Sequence, residues 1–298
     1  MRVLAGAEAY VHDGPDDPAD GAGDRVGVLL CHGFTGCPQS LRPWAEQLAD
    51  AGFTVSVPRL PGHGTSWREM ALTDEQDWYA AVRRALAELR RRCSVVVVMG
   101  LSMGGTLALR LAETKSVDGV VLVNPSLTTT RKALRLLPLA RLVVESVHGV
   151  SVQGVASDIA LPGVVELAYD RVPVASLAAL QRLWAATRAD LHKVDVPVLL
   201  FRSVVDHVVE PVNGDLVRRG VSGPVTERWL RHSHHVATLD HDADLVAQES
   251  LAFVRRLVAA RSEAARSEAS RAEAARFGVA RAEAARFGAA QAEVAAHA

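Results

Sequence analysis

Residues Ser94–Thr114 read SVVVVMGLSMGGTLALRLAET, and three patterns follow one another directly within them. The stretch begins with a continuous, β-branched run, Ser94–Met99, which is typical of a strand covered on both faces of a sheet. It ends with a helical pattern over Thr106–Thr114. Between the two lies GLSMG at 100–104, which matches G-x-S-x-G. The order of strand, glycine-rich turn and helix predicts a sharp turn that holds Ser102 at the end of the strand.

This context favours a reactive serine. The glycines let the strand and the helix approach each other closely, while Ser102 is held in a strained backbone conformation. Its Oγ then lies at a helix N-terminus, where backbone N–H groups stabilise developing negative charge. We therefore interpret Ser102 as a nucleophile. The alternative is a glycine-rich turn that contains a serine by chance.

Outward from this stretch, strand patterns alternate with helical patterns. Such alternation predicts right-handed βαβ units and a mostly parallel sheet flanked by helices, an α/β fold. The predicted strands are 26–31, 53–57, 94–99, 117–123, 197–201 and 225–230, and the predicted helices are 43–51, 75–92, 106–114 and 244–259.

One segment departs from the alternation. Over seventy residues separate the predicted strand that ends at Val123 from the one that begins at Pro197, which is too long for an ordinary connection. The segment shows helical patterns at Thr130–His148 and Val174–His192 and no convincing strand pattern. We predict that residues 125–191 form an inserted helical cap.

The last residues differ from the rest of the chain in composition. Residues 261–298 are mostly Ala, Arg and Glu, and the decapeptide RAEAARFGVA at 271–280 is followed by RAEAARFGAA at 281–290. We interpret them as a disordered or loosely helical tail that is dispensable; the alternative is an interaction arm. The predicted division of the chain is 1–124 (first part of the core), 125–191 (cap), 192–260 (second part of the core) and 261–298 (tail).

A nucleophilic serine needs a base and an acid that orients the base, and on this type of sheet they follow in the order Ser, Asp or Glu, His. Asp206 lies just after the predicted strand 197–201, whereas Asp190 and Asp195 precede that strand and lie at its wrong end. The candidate bases follow the predicted strand 225–230, and spacing alone does not choose among them: they are His232, His234 and His235. Asp240 is predicted to cap the last helix.

The loop CHGFTG at 31–36 follows another predicted strand and so lies at the same edge of the sheet. Its glycines can turn backbone amides inward. With the N–H of Met103, the N–H of Phe34 could form an oxyanion hole with two donors. We predict that His32 bonds to loop backbone and has no catalytic role.

Composition excludes several classes of protein. The chain has 298 residues, 49% of them apolar, and a formal charge of −1, which excludes wholesale disorder and gives no overall attraction to nucleic acid. Three cysteines without a CxxC pair fit a reducing compartment, so we expect a cytoplasmic protein. There is no transmembrane or signal-peptide pattern.

The sequence gives no sign of a metal site or a cofactor. His32 and His63 are not spaced from acidic residues in the way that the ligands of a metal site are, so we expect no metal, and no cofactor is needed. The oligomeric state is not readable from the sequence.

Five motifs in this order resemble the α/β-hydrolase superfamily, and more narrowly its small-cap bacterial carboxylesterases and monoacylglycerol lipases. They are HGFTG at 32–36, PGHG at 61–64, GLSMGG at 100–105, the Asp206 loop and SHHVATLD at 233–240. The resemblance covers roughly residues 24–258 and implies an α/β-hydrolase fold with an inserted cap.

The resemblance also implies site residues and an activity. It places the nucleophile at Ser102, the acid at Asp206, the base at His235, and the oxyanion amides at Phe34 and Met103. Family members often carry Gly just before the catalytic histidine, where this chain has His234. The implied function is hydrolysis of a small carboxylic ester or a monoacylglycerol through an acyl-enzyme. The alternatives are another reaction on the same fold (C–C hydrolase, peptidase or acyltransferase) or a non-catalytic binding module.

Overall fold

The computed structural model describes residues 2–15, 25–115, 117–131, 151–153 and 157–295. Within these ranges, seven strands form one sheet: β1 (Tyr10–His12), β2 (Val26–Cys31), β3 (Thr54–Val57), β4 (Val95–Leu101), β5 (Gly119–Val123), β8 (Val198–Ser203) and β9 (Val225–Leu230). Two further strands, β6 (Ser151–Gln153) and β7 (Arg171–Pro173), pair with each other. The order in the main sheet is β1-β3-β2-β4-β5-β8-β9, and all neighbours are parallel except β1 and β3. The fold predicted from the sequence is thereby confirmed.

The central strand is apolar because helices cover both faces of the sheet. Every residue of β4 is buried, as expected of a parallel strand between two layers. Its register pairs Gly100 with Cys31 of β2, and Leu101 with Val123 of β5. The carboxyl ends of β2, β4 and β5 therefore lie side by side, and the loops that follow them meet at one edge.

The helices follow sequence signals that are mostly local. Asp74 precedes α3 (Glu75–Arg92), and its side chain accepts hydrogen bonds from the N–H groups of Gln76 and Asp77. The Asp77 side chain accepts the Asp74 N–H in return, which completes a capping box. The buried side of α3 carries Trp78 and Val82. The helices are α1 (Arg42–Asp50), α2 (Trp67–Met70), α3 (Glu75–Arg92), α4 (Met103–Ala112), α5 (Val174–Asp190), α6 (Val212–Gly220) and α7 (Ala243–Ala295). None of these helices combines the length and apolar character that crossing a membrane requires.

The segment between β5 and β8 contains strands, so the expectation of no strand there was wrong. β6 (Ser151–Gln153) pairs antiparallel with β7 (Arg171–Pro173). Each has three residues, too few to show a period in the sequence, and the partners are about twenty residues apart. α5 agrees with the predicted helix up to Asp190, after which a short 3₁₀ turn follows. The predicted helix 130–148 lies outside the described residues from position 132 on, and the cap stays a prediction.

The last helix is longer than predicted. α7 continues to Ala295, past Gly278 and Gly288, because a glycine inside a helix costs only about 1 kcal/mol. The chain divides into two compact units, Met1–Val254 and Arg255–Ala298. The four-part division proposed from the sequence, with its boundary at 260, remains a prediction.

Removal of residues 261–298 is expected to leave the melting temperature and kcat/KM nearly unchanged. The truncated chain keeps the whole of the first compact unit, including the buried Phe253 and Val254 of α7. Thermal unfolding and ester hydrolysis of the full and truncated chains are the measurements. A loss of more than about 1 kcal/mol in the free energy of unfolding would show that the tail stabilises the remainder.

Candidate active site

Ser102 lies in a strained turn between β4 and α4. Its backbone has φ +56° and ψ −121°, a conformation that residues with a side chain rarely adopt. The turn is held by two hydrogen bonds: the Ser102 N–H donates to the Val123 carbonyl at 3.0 Å, and the Gly105 N–H donates to the Ser102 carbonyl at 2.9 Å. The sequence thus places Ser102 at the expected point, at the end of the central strand and the N-terminus of a helix.

The two glycines of the G-x-S-x-G motif are required by this packing. A Cβ at Gly100 would collide with the backbone of Gly104, and a Cβ at Gly104 would collide with the carbonyl of Cys31. Both obstacles are backbone atoms in the interior, so neither can move aside. The close approach predicted from the motif is therefore present.

His235 and Asp206 form a buried pair. The His235 Nδ1–H donates to Asp206 Oδ2 at 2.8 Å, and both side chains are less than a tenth exposed. Asp206 Oδ1 accepts the N–H groups of Val208 and Val209 at 2.9 and 2.8 Å, which fixes the carboxylate. A carboxylate opposite Nδ1 holds the proton on that nitrogen, so Nε2 is left as an acceptor.

The other two histidines of the 232–235 cluster face elsewhere. The His234 Nδ1 lies 3.4 Å from Asp158 Oδ1. His232 is exposed, and its N–H donates to Asp242 Oδ2 at 2.9 Å. Of the three candidate bases, His235 is the one that the structure brings to Asp206.

The surroundings of His235 favour its protonated form. Burial lowers the pKa of His235, but the hydrogen bond and negative charge of Asp206 outweigh burial, and Glu166 and Asp158 add to them. The net result is a pKa raised above the ordinary value for histidine. An imidazole that gains a proton readily suits general-base catalysis.

Ser102 and His235 line the same cavity, which has a volume of about 420 Å³. Its lining combines apolar side chains, several of them from β7 and α5, with polar ones. The apolar side chains include Val172, Leu177, Leu180 and Trp184, and the polar ones include Thr35, Thr128, Ser157 and Glu166. This combination suits a ligand with an apolar chain and a polar head.

The two predicted oxyanion donors belong to the residue that follows Ser102 and to a loop that lies against it. Met103 is the first residue of α4, so its N–H has no acceptor within the helix. Phe34 lines the cavity, on a loop whose Gly33 lies against Ser102: a Cβ at Gly33 would be 3.5 Å from the Ser102 Cβ. The loop and the helix terminus therefore adjoin the serine, as the sequence predicted.

His32 has the structural role predicted for it. It is fully buried; its Nδ1–H donates to the Gly33 carbonyl at 2.9 Å, and its Nε2 accepts the Leu60 N–H at 3.2 Å. Burial, with the nearby His63, lowers the pKa of His32 to about 3. The neutral ring thus joins the Phe34 loop to the loop that contains PGHG.

Asp240 does not cap the last helix through its side chain, so that prediction was wrong. Its Oδ2 accepts the N–H groups of Ala160 and His234 at 2.7 and 2.8 Å, and its Oδ1 accepts those of Leu161 and His241 at 2.9 and 2.8 Å. The carboxylate is saturated by these donors. It joins the loop that carries His235 to the segment that follows β6 in the chain.

Asp158 was not predicted by the sequence. Its Oδ2 accepts the N–H groups of His207 and His235, at 3.0 and 3.2 Å, and its carbonyl accepts the Val236 N–H at 3.1 Å. It lines the cavity, yet it lies 77 positions before His235 in the chain. No local pattern could have indicated that contact.

Comparisons with known proteins agree with this geometry. The family model described as "Alpha/beta hydrolase family" matches residues 28–249. A thermostable monoacylglycerol lipase of Bacillus sp. (strain H-257) is 43% identical over 84% of this chain and 95% of its own. A carboxylesterase of Bacillus subtilis (strain 168) is 27% identical over 79% of this chain and 94% of its own.

A solved structure is similar to this chain in both sequence and fold. It comes from work on "LipS and LipT, two metagenome-derived lipolytic enzymes", and its sequence is 39% identical to this one. The two structures superpose with a TM-score of 0.77, over 86% of this chain and 100% of the other. The match of the family model to most of the sheet and its loops, together with this superposition, identifies the chain as a member of the alpha/beta hydrolase family.

Proposed function

We propose that this protein hydrolyses carboxylic esters with a single acyl chain, monoacylglycerols among them, with Ser102 as the nucleophile, His235 as the base and Asp206 as the orienting acid. Ester hydrolysis is supported by sequence similarity, because the relatives at 43% and 27% identity are a monoacylglycerol lipase and a carboxylesterase. The observation that carries the assignment of residues is the 2.8 Å hydrogen bond between His235 and Asp206, in a histidine that shares a cavity with Ser102.

The proposed reaction is acyl transfer in two halves. His235 Nε2 accepts the Ser102 proton while Oγ attacks the ester carbonyl, and the N–H groups of Phe34 and Met103 bind the oxyanion. His235 then gives its proton to the leaving alcohol, and the carbon–oxygen bond of the ester breaks. Water, activated by the same imidazole, hydrolyses the acyl-enzyme and restores Ser102. Asp206 stabilises the imidazolium in both halves.

The cavity supports a substrate with one chain. Its apolar wall offers burial to an acyl chain, and its polar side chains, Thr35, Ser157 and Glu166 among them, can bond to the hydroxyl groups of a small head. At about 420 Å³ it lies near the lower end of the usual range for ligand sites. A triacylglycerol presents three chains, and the described residues that line the cavity offer no groove for two of them.

We expect kcat/KM to increase with the number of carbons in the acyl chain and then to level off. Each buried methylene contributes about 0.8 kcal/mol, so kcat/KM is expected to increase by up to about fourfold per carbon until the cavity is full. The measurement is a series of p-nitrophenyl esters from two to sixteen carbons, with mono- and triacylglycerols alongside. Ser102→Ala, assayed in parallel, supplies the background rate.

Two results would contradict this specificity. One is fastest turnover on emulsified triacylglycerol, and the other is a rate that does not depend on chain length. Amides and diketones in the same panel test the alternative reactions on this fold, since a C–C hydrolase or a peptidase would prefer them to esters.

We also propose a cytoplasmic location. Cys31, Cys37 and Cys93 are all unpaired and buried, which is the state expected of thiols in a reducing compartment.

A further inference from the structure

A second cluster of polar side chains adjoins the candidate triad. Asp158 Oδ1 accepts the His207 Nδ1–H at 2.8 Å, and the His234 Nδ1 lies 3.4 Å from the same oxygen. The two imidazole rings cross edge to face, with their centres 4.8 Å apart. One ligand atom from each of the three residues lies within 4.8 Å of those of the others.

The two oxygens of Asp158 have separate partners. Oδ2 accepts the backbone N–H groups of His207 and His235, which fixes the plane of the carboxylate. Oδ1 faces the two imidazoles. Backbone donors thus hold Oδ2 in place, while Oδ1 is near one nitrogen of each imidazole. Carboxylates that ligate metals are supported by hydrogen bonds in the same way.

In contrast to the expectation of no metal from the sequence, we propose that Asp158, His207 and His234 form a binding site for a divalent transition metal of the Zn²⁺ class. Ligands at about 2.0–2.1 Å from a tetrahedral Zn²⁺ stand roughly 3.3 Å apart. The 3.4 Å distance between His234 Nδ1 and Asp158 Oδ1 matches that spacing. The 2.8 Å distance between His207 Nδ1 and Asp158 Oδ1 must increase by about half an ångström when an ion binds.

The donor set and the exposure decide which ions fit. Two imidazole nitrogens and one carboxylate oxygen suit Zn²⁺, Co²⁺, Ni²⁺ or Cu²⁺, whereas Ca²⁺ takes six to eight oxygens and Mg²⁺ an octahedral set of oxygens. Asp158 is only 9% exposed at its side chain, but His207 is 59% exposed. An ion can therefore enter from the His207 side, and water can complete a fourth position.

The site would join the two loops that carry the candidate acid and base. His207 follows Asp206 and His234 precedes His235 in the chain, so one ion would hold both loops to the Asp158 segment. The proposal does not depend on the catalytic roles of those neighbours, because metal binding can be measured without any substrate.

The test is calorimetric titration of untagged, chelator-treated full-length protein with ZnCl₂. We expect one ion to bind per chain, and the affinity to fall by at least about 100-fold in His207→Ala, since loss of a ligand should cost no less than loss of a second-shell partner. His241→Ala, which removes an exposed histidine outside the cluster, is the matched control and should bind Zn²⁺ as the wild type does. Co²⁺ in the wild type should give the absorption bands of a tetrahedral ion.

Zn²⁺ should also raise the melting temperature of the wild type and of His241→Ala, and not that of His207→Ala, because an ion that binds only the folded state stabilises it. The proposal is overturned if the wild type shows no saturable Zn²⁺ binding. It is equally overturned if the double variant His207→Ala/His234→Ala keeps the wild-type affinity, or if Mg²⁺ competes with Zn²⁺ at equal concentration.

Discussion

Replacement of Ser102 by alanine is expected to lower kcat on a short-chain ester by about 10⁴–10⁶-fold while the fold survives. The substitution removes one oxygen and leaves the backbone hydrogen bonds of the turn, to Val123 and from Gly105, in place. What is lost is the atom that forms the acyl-enzyme. The residual rate reflects binding and the oxyanion donors alone.

Three measurements on Ser102→Ala separate chemistry from folding. Steady-state kinetics gives the loss of kcat, thermal unfolding should give a nearly unchanged melting temperature, and a fluorophosphonate probe should label the wild type at Ser102 and leave the variant unlabelled. Ser222→Ala is the control, because that hydroxyl is exposed and donates to the His192 carbonyl. It should keep both the label and the rate. An unchanged esterase rate in Ser102→Ala would exclude Ser102 as the nucleophile.

Replacement of His235 by alanine should match Ser102→Ala in severity, whereas His234→Ala should cost less than about tenfold in kcat. His235 is the ring bonded to Asp206, and it faces the cavity. The side chain of His234 instead lies toward Asp158. The hydrogen bonds that hold this loop at His234 are made by its backbone and survive the substitution: its carbonyl accepts the Ser203 hydroxyl at 2.7 Å, and its N–H donates to Asp240.

Comparing the two variants separates a loss of chemistry from a loss of structure, because both substitutions alter the same loop. Equal melting temperatures with unequal kcat values would attribute the difference to chemistry. The double variant Ser102→Ala/His235→Ala should be no slower than either single one, because residues that act as a unit lose activity together. If His234→Ala is the inactive variant, the assignment of the base is wrong.

Much of the fold and site could be predicted because the signals are local. The β-branched run at 95–98 specifies a buried strand, and G-x-S-x-G directly after it specifies the turn. Once the strands are parallel, Asp206 and His235 fall at the ends of β8 and β9 by position alone. Choosing His235 over His234 needed more than spacing, because adjacent residues in a loop can each face either way.

The remaining features depend on contacts between distant residues. Asp158 meets His207 across 49 positions of the chain, and β6 pairs with a strand about twenty positions later. Asp240 shows why a local pattern can mislead. An aspartate shortly before a helix resembles a cap, but its oxygens accept four backbone N–H groups: those of Ala160 and Leu161, that of His234, and that of the adjacent His241. β1 has only three residues at the sheet's edge, so its pattern is too short to stand out.

The four hydrogen bonds of Asp240 set a limit on protein engineering. Chimaeras that exchange the 125–191 segment between homologues, in order to alter substrate range, would replace the backbone of Ala160 and Leu161, whose N–H groups both donate to Asp240. If the incoming backbone followed another course there, a buried carboxylate would lose half of its donors, and the loop that presents His235 would lose its connection to this segment. A transplant with a chance of success has to retain the backbone of 158–161 as part of the recipient, so the exchangeable module ends before Asp158.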